Sequence, residues 1–516
     1  MIVRNEGQRL SQGRAPVVGW LQSPWTFVLL CVAAALPLAF LDTLPLIDLG
    51  GHLGRYAIQI DGGASPVLRQ WYSFHWGLLP NLGVDLLVQV LAPIMGLEPA
   101  VKLIVVSIPV LQVAGWLLIA RAAHGHIPPT ALLVLPLAYS AVFHFGFINF
   151  NLCAALASLA LALWIELGNR NQTALRTAIF VPLSCVLWVC HLAGWAIFCV
   201  LAAGVELARL YDKTGNIRDT ILRSILPLGA LLLPQIIGMI MAPVHSGRGV
   251  TVDFFNFSNK LIWIVIVLRD HWQNWDAASA IFLLLAVGGA WHLPHFRLHK
   301  GLALGAIFLL VCFVAVPTTL IGSAFADMRL VPTLLAVTLL AARPGADCGR
   351  RLLLAVTIAG VAFAGARFAG NGIALARIDR QFTRTLSVLP AVPRDTLLVT
   401  VAISRCDISL PWDADRRLHL AGYALARRGA FANDQWVLPG AQLLTVHNPA
   451  AGRFVTEPSQ DAYEISCRGM ESVMQKVTLI PQTTRYMWVY GGTRRFVFPG
   501  WHVIRAAGDS VVYQRD

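Results

Sequence analysis

Residues 25–41 read WTFVLLCVAAALPLAFL, and residues 45–63 read PLIDLGGHLGRYAIQIDGG. The first stretch is typical of a membrane helix, because a helix needs about 20 apolar residues to cross a bilayer. The second stretch carries Asp48, His52 and Arg55 at spacings of four and three. In a helix these spacings bring a carboxylate, an imidazole and a guanidinium toward one face. We therefore expect a membrane helix followed at once by a helix with grouped ionisable side chains.

The composition of the whole chain is that of a polytopic membrane protein. Of its 516 residues, 57% are hydrophobic and only 13% are charged, and the mean hydropathy is +0.65. Soluble domains average about 25% charged residues. The apolar runs are expected to be helices, because lipid cannot satisfy an open backbone. The net charge of +13 lies largely in loops between these runs, so membrane topology explains it and no nucleic-acid partner is expected.

The apolar runs predict about eleven transmembrane helices. They cover residues 25–41, 100–120, 129–145, 152–166, 177–190, 192–209, 222–242, 276–292, 301–319, 328–342 and 352–369. Residues 178–207 are too long for one crossing, so we divide them at His191. Residues 78–95 are apolar but include Asp85, and they predict a helix along the outer membrane surface, as do residues 260–268.

Lysine and arginine predict the orientation of these helices. With the N-terminus inside, the loops on the cytoplasmic side contain Arg121, Arg170, Arg176, Arg209, Lys213, Arg218, Arg223, Arg297, Lys300, Arg343, Arg350 and Arg351. The outer loops contain far fewer basic residues. In a bacterial cell, this orientation would place the chain in the inner membrane with the C-terminus outside.

The domain organisation follows from these spans. We predict a cytoplasmic segment over 1–24, a transmembrane domain over 25–375 with its first outer loop at 42–99, and a soluble outer α/β domain over 376–516. Strands are expected at 397–403, 443–446, 487–490 and 511–513, with a helix at 418–428. Cys406 and Cys467 lie in this outer domain, where an oxidising compartment favours a disulfide. The alternative is two separate buried thiols.

Ionisable and polar residues gather in the predicted outer loops, and ionisable groups at membrane depth by default suggest a functional site. The candidates for catalysis are Asp48 and His52, and those for substrate binding are Arg55, Asp85, His144, Asn149, His191, Arg248, Asp327 and Arg329. Structural alternatives stay open for each of them. Asp48 could cap the following helix, and Arg55 could pair with Asp48 or Asp61. Asp327 and Arg329 could form a local ion pair, and the histidines could be interior packing residues.

These residue types suit glycosyl transfer from a polyprenyl-phosphate sugar. The donor phosphate leaves as an anion, whose charge an arginine such as Arg55 or Arg329 can offset. The acceptor hydroxyl needs a base, and Asp48 is a carboxylate in a suitable place. A divalent cation such as Mg²⁺ or Mn²⁺ could neutralise phosphate, with Asp48 and His52 as its ligands.

The chain resembles membrane glycosyltransferases of the GT-C superfamily, which includes protein O-mannosyltransferases and the aminoarabinose transferases of lipid A. The family places an acidic residue soon after its first span, often followed by His or Tyr and then Arg. Here that motif reads Asp48-Leu-Gly-Gly-His52-Leu-Gly-Arg55. The resemblance implies surface helices in the first loop, a soluble outer domain, and a role for Asp48 on the acceptor or a metal. The second outer loop departs from the family, since HFGFINFN (residues 144–151) has no carboxylate.

The expected function is transfer of a sugar from a membrane-embedded polyprenyl-phosphate donor to a lipid, glycan or protein acceptor on the outer face. Two alternatives remain. One is a transporter or flippase of a lipid-linked glycan, a class in which broken helices and internal repeats are common. The other is a non-catalytic envelope assembly factor that has the same fold.

Overall fold

The computed structural model describes residues 18–241, 250–404, 412, 415–435, 437, 442–455, 460–465, 467 and 469–516. Helices dominate the first three quarters of the chain, and most strands lie in the last quarter. The α-helices are α1 (Pro24–Ala39), α2 (Leu49–Asp61), α3 (Leu68–Trp71), α4 (Gly83–Met95), α5 (Leu97–His124), α6 (Ala141–His144), α7 (Ile148–Asn169), α8 (Thr173–Cys190), α9 (Leu192–Thr214), α10 (Ile217–Leu231), α11 (Leu233–Met241), α12 (Phe257–Val265), α13 (Gln273–His292), α14 (Lys300–Ala315), α15 (Leu330–Leu340), α16 (Arg350–Leu386), α17 (Ala421–Arg428) and α18 (Val473–Thr478). The strands are β1 (Tyr72–Phe74), β2 (Phe296–Leu298), β3 (Ala342–Pro344), β4 (Leu398–Ser404), β5 (Leu444–Val446), β6 (Asp461–Tyr463), β7 (Tyr486–Tyr490), β8 (Trp501–Ala507) and β9 (Ser510–Arg515).

Six helices of the described chain are long and apolar enough to cross a membrane: α5, α7, α8, α9, α13 and α16. The pair α10 and α11 makes a seventh span if its 49° bend is counted as part of one crossing. Shorter apolar helices are α1, α4, α14, α15 and the segment from Pro129 to His144. The chain is therefore a multi-pass helical membrane protein. The count of eleven crossings stays a prediction.

Several predicted boundaries can be compared directly with the helices. The division at His191 is confirmed, because this residue has an extended backbone between α8 and α9 and its Nδ1 accepts the Ala193 N–H at 3.1 Å. The predicted span at 129–145 begins as a 3₁₀-helix (Pro129–Tyr139), which has proline at its start and again at Pro136. Proline lacks a backbone N–H and so disfavours a regular α-helix in its interior.

The predicted domain boundary at 375/376 falls inside a helix. Helix α16 runs for 37 residues from Arg350 to Leu386 without a break. Its last turns still belong to the packed helical domain, because Asp379 accepts the backbone N–H of Thr43 at 2.7 Å. The more polar composition after residue 375 marks the end of the apolar run rather than the end of the helix.

The predicted cytoplasmic loops lie together at one end of the helical domain. The Asn169 side chain donates to the Ala122 carbonyl at 2.8 Å, and Lys300 pairs with Asp212 at 2.6 Å. Strands β2 and β3 pair antiparallel at this end. At the opposite end, the start of α2 is bonded to the turn before α7, and α17 of the C-terminal region packs on α2.

The C-terminal region contains a five-stranded mixed sheet in the order β6-β4-β7-β9-β8. The pairs of β4 with β6 and β7 are parallel, and the pairs of β9 with β7 and β8 are antiparallel. A small sheet domain at the C-terminus is therefore confirmed. A contact between the first outer loop and the C-terminal region was not predicted. Strand β1 of that loop pairs antiparallel with β5, with Tyr72 opposite Val446.

Candidate functional site

Asp48 lies at the start of α2 with its side chain free of the capping role. It holds the N-cap position, but its side chain makes no capping hydrogen bond. Its backbone N–H donates to the Phe145 carbonyl at 3.0 Å, which fixes the start of α2 against the second loop. The helix ends at Gly62, whose φ of +58° is the left-handed conformation that glycine adopts without strain. The side chain of Asp48 is 22% exposed and so remains reachable.

A guanidinium, that of Arg329, and an imidazole, that of His419, lie near the Asp48 carboxylate. Burial raises the pKa of Asp48 to about 7, and the positive charge of Arg329 offsets part of that rise. His419, from the turn before α17, places its Nε2 3.9 Å from the Asp48 Oδ1. Burial lowers the pKa of His419 to about 4, so its imidazole is neutral at pH 7.

Arg329 precedes α15 and is only 8% exposed. Its Nη1 donates to the Ser323 hydroxyl at 2.7 Å, and its guanidinium lies 4.4 Å from the centre of the Phe147 ring. Within the part of the chain that the structure describes, its Nε has no hydrogen-bond partner. Arg329 also lines a narrow cavity, whose polar side chains are those of Gln112, Ser140, Asn151 and Thr333. A buried guanidinium with unused hydrogen-bonding capacity is suited to an anionic group.

Two predicted histidines lie in the same neighbourhood. His52 is one turn after Asp48 in α2, and burial together with Arg55 and His419 holds its pKa well below its usual value. His191 lies between α8 and α9, where burial and the nearby charge of Arg329 lower its pKa to about 3. Both imidazoles are therefore neutral at pH 7. The structure thus brings together four of the predicted residues: Asp48, His52, His191 and Arg329.

A second group of predicted residues forms a buried cluster between α2 and α4. Arg55 forms an ion pair with Asp85, and its Nη2 lies 3.3 Å from the second carboxylate oxygen. Asn149 donates to the same carboxylate at 3.0 Å and accepts the Val84 N–H at 2.6 Å. Arg55 and Asp85 are 3% and 0% exposed. This cluster joins α2, α4 and α7, and the guanidinium termini of Arg55 are directed at Asp85.

His144 and Asp327 belong to two further polar clusters. His144 lies 3.3 Å from Arg416 through its Nδ1 and 3.8 Å from Asp270 through its Nε2. Asp327 pairs with Lys260 at 3.1 Å, and both side chains are buried. Asp327 and Arg329, two residues apart in sequence, therefore have different partners.

Some predictions fall outside the described residues. Arg248 and Cys406 are among them, whereas Cys467 is disulfide-bonded. Over the described ranges, no group of three or more His, Cys, Asp or Glu side chains could hold a metal ion. Among these residues, Asp48 and His52 are thus not part of a three-ligand group.

Sequence reasoning missed the contribution of the C-terminal region to this site. His419 and Arg416 had no motif to identify them. A signal was present in α2, where Gly50 and Gly54 are four residues apart, a spacing that lets another backbone approach one helix face. Asp434 was missed too, and burial raises its pKa to about 7, but it is 0% exposed and cannot contact a substrate directly.

Comparison with known proteins gives a match in fold only. No family model and no curated protein matches the chain. The solved structure of ArnT from Cupriavidus metallidurans bound to undecaprenyl phosphate is similar, with 13% sequence identity, a TM-score of 0.51, and coverage of 96% of this chain and 98% of that chain. The apo state of that protein matches with 15% identity, a TM-score of 0.48 and the same coverage. ArnT is an aminoarabinose transferase with the GT-C fold, so the expected GT-C architecture is confirmed at the level of fold.

Proposed function

We propose that this chain is a membrane glycosyltransferase that moves a sugar from a polyprenyl-phosphate donor to a lipid, glycan or protein acceptor. The observation that carries the proposal is Asp48, a reachable carboxylate whose pKa is raised to about 7 beside the buried guanidinium of Arg329. Fold similarity to a structure that holds undecaprenyl phosphate supports the donor class. Fold alone does not establish an activity, so the argument depends on the chemistry of these residues.

Asp48 is proposed as the general base. In the reaction, the acceptor hydroxyl attacks the anomeric carbon of the sugar, and its proton passes to the Asp48 carboxylate. A base is most effective when its pKa lies near the working pH, because it then accepts a proton readily yet is still substantially ionised. The value of about 7 for Asp48 meets this condition, whereas an ordinary aspartate at 3.8 is a much weaker base.

Arg329 is proposed to stabilise the leaving group. The bond between the anomeric carbon and the phosphate oxygen breaks, and the electron pair leaves with the polyprenyl phosphate. A guanidinium in a site from which water is largely excluded stabilises this developing negative charge more strongly than one in bulk water. Because the Nε of Arg329 has no partner among the described residues, an incoming phosphate oxygen need not displace an existing bond there.

The orientation of the protein belongs to the same proposal. We place the N-terminus in the cytoplasm, eleven crossings in the inner membrane, and the C-terminal domain on the outer side with Asp48. The clustering of basic loops at the end of the helical domain away from α2 supports this placement. A cysteine introduced at Ala64 should react with a membrane-impermeant reagent in intact spheroplasts, and one introduced at Gly215 should not. The reverse pattern would overturn the orientation.

The activity test uses purified protein in liposomes with a radiolabelled undecaprenyl-phosphate sugar. Asp48→Asn should abolish transfer to acceptor, because an amide cannot accept the proton. Asp61→Asn is the matched control, since Asp61 lies at the other end of α2, where its carboxylate accepts the Ser65 N–H at 3.1 Å.

Three outcomes separate the candidate functions. Transfer that is lost only with Asp48→Asn supports the proposal. Movement of the labelled lipid across the bilayer without transfer would indicate a flippase, and neither transfer nor movement would indicate an assembly factor. Undiminished transfer by Asp48→Asn would remove Asp48 from the mechanism.

A further inference from the structure

The C-terminal region supplies a side chain to the candidate site. His419 lies in the turn that leads into α17, and its Nε2 is 3.9 Å from the Asp48 Oδ1. The two side chains are 23% and 22% exposed, so both border the same opening. They come from positions 371 residues apart, which makes the contact a product of the tertiary fold alone.

Glycines bring α2 and α17 into backbone contact at this point. A Cβ atom on Gly50 would lie 2.1 Å from the His419 carbonyl oxygen, and one on Gly422 would lie 1.9 Å from the Gly50 carbonyl oxygen. Gln435 adds a bond across the same interface, since its Nε2 donates to the Gly51 carbonyl at 3.1 Å. Because two backbones touch with no side chain between them, the position of His419 relative to Asp48 is closely determined.

The residues that precede His419 are held just as closely. Arg416 is 4% exposed, and its guanidinium donates to the Pro45 carbonyl at 3.0 Å and to the Asp270 carboxylate at 2.5 Å. Arg416 lies three residues before His419, and Pro45 lies three residues before Asp48. The segment before α2 and the segment before α17 are therefore joined at two points, the contact of Asp48 with His419 and the hydrogen bond of Arg416 to Pro45.

Among the described residues, charged and titratable groups face this pair from α2 and from the start of α15. Arg329 faces Asp48 from the start of α15, and His52 lies near His419 from the next turn of α2. Burial lowers the pKa of both imidazoles, so His419 is neutral at pH 7 and carries one N–H. A neutral imidazole with its proton on Nε2 is a donor toward a carboxylate.

We propose that His419 is a positioning residue of the glycosyltransferase site, whose Nε2–H donates a hydrogen bond to ionised Asp48 and directs its other oxygen at the acceptor hydroxyl. This inference rests on the proposed role of Asp48 as base. Ionisation of Asp48 attracts the N–H, and the contact shortens from 3.9 Å to about 2.8 Å. His419 keeps its proton throughout the reaction, and Asp48 later releases the proton of the acceptor to water.

The test compares His419→Leu with His419→Gln in the full-length protein. Leucine removes the donor at similar volume, whereas the Nε2 amide of glutamine can reach about the same place as the imidazole Nε2. Removing a hydrogen bond to the charged form raises the pKa of Asp48 by about one to two pH units. His419→Leu should therefore lower kcat by about five- to fiftyfold at pH 7 and by no more than about twofold at pH 9, with KM unchanged, and His419→Gln should restore it.

The same rise in the pKa of Asp48 should be measurable in the absence of substrate. The infrared carbonyl stretch of protonated Asp48, identified by its absence in Asp48→Asn, gives the midpoint of Asp48 titration in purified protein. The midpoint should move upward in His419→Leu and stay near the wild-type value in His419→Gln. His502→Gln is the control, because His502 bonds the terminal Asp516 at 2.7 Å on the exposed edge strand β8.

The outcomes separate this inference from the function on which it depends. If Asp48→Asn is inactive but His419→Leu leaves both the kinetic and infrared midpoints unchanged, the role of His419 is refuted and that of Asp48 stands. If Asp48→Asn is fully active, the proposed function fails and His419 has no base to position. An equal loss of activity at every pH would also refute the proposal, since a merely structural role gives that result. If His419→Leu does not fold, His419→Asn replaces it, because its shorter amide cannot reach Asp48.

Discussion

The contact between α2 and α17 makes a sharp prediction for Gly50→Ala. A Cβ at this position would lie 2.1 Å from the backbone oxygen of His419, whereas ordinary van der Waals contact begins near 3.4 Å. The two helices must therefore separate by about 1.3 Å, because the atom in the way is backbone and cannot rotate aside. Overpacking of this kind costs about 1–3 kcal/mol.

Gly365→Ala provides the matched control. Gly365 lies in α16, and a Cβ there would meet nothing within 4 Å. This substitution should be neutral or stabilise the helix by up to about 1 kcal/mol, because alanine has the higher helix propensity. The two variants make the same chemical change in a helix and differ in what surrounds the new methyl group.

The assay is thermal unfolding in detergent together with the pH profile of transfer. For a chain of 516 residues that melts cooperatively, Gly50→Ala should lower the melting temperature by about 1–3 °C. It should also raise the pH midpoint of activity, since His419 moves away from Asp48. A Gly50→Ala protein that is as stable as Gly365→Ala, with an unchanged pH profile, would refute the close backbone contact.

Three further predictions concern charge, pH and the junction of the domains. Because ionised Asp48 is the active form and its pKa is about 7, transfer should rise with pH, with about a tenth of the sites ionised at pH 6, half at pH 7 and nine tenths at pH 8; a flat profile over this range would contradict the assignment. Arg367→Met should destabilise the protein by about 3–5 kcal/mol in chemical unfolding, because it leaves the carboxylate of Asp276, at 1% exposure, without the cation that balances its charge. Arg170→Met breaks an ion pair whose side chains are 63% and 41% exposed, and it should cost less than about 1 kcal/mol. Tyr72→Phe removes the two hydrogen bonds, each 3.1 Å, that the Tyr72 hydroxyl makes with the backbone carbonyl and N–H of Ala432. This change should accelerate proteolysis of the C-terminal region while donor binding stays unchanged.

Much of the architecture could be predicted from local patterns. The apolar runs and the break at His191 follow from composition and spacing within a window of about 20 residues, which is the range over which membrane helices form. The same holds for the sheet domain, whose strands near residues 398 and 486 are runs of β-branched and aromatic residues. What sequence could not give was the order of those strands, because order depends on contacts between distant segments.

The site shows the same division. Asp48 and His52 were identifiable because they share one helix, where spacing determines the face on which a side chain lies. The pairing of Arg55 with Asp85 could not be identified from sequence, because the two residues are 30 positions apart and lie in different helices. His419 lies still further from its neighbour in sequence, and only the glycines of α2 hint that another backbone approaches there.

The pairing of β1 with β5 has a consequence for how the protein is made. Tyr72 of β1 also donates a hydrogen bond from its hydroxyl to the carbonyl of Ala432, which lies 360 positions later in the chain. At 5–20 residues per second, a ribosome takes roughly 20–70 s to add that length of chain. The same delay applies to the opening around Asp48, because His419, which borders it, also belongs to the last quarter of the chain. This side of the opening can form only after most of the polypeptide has been synthesised.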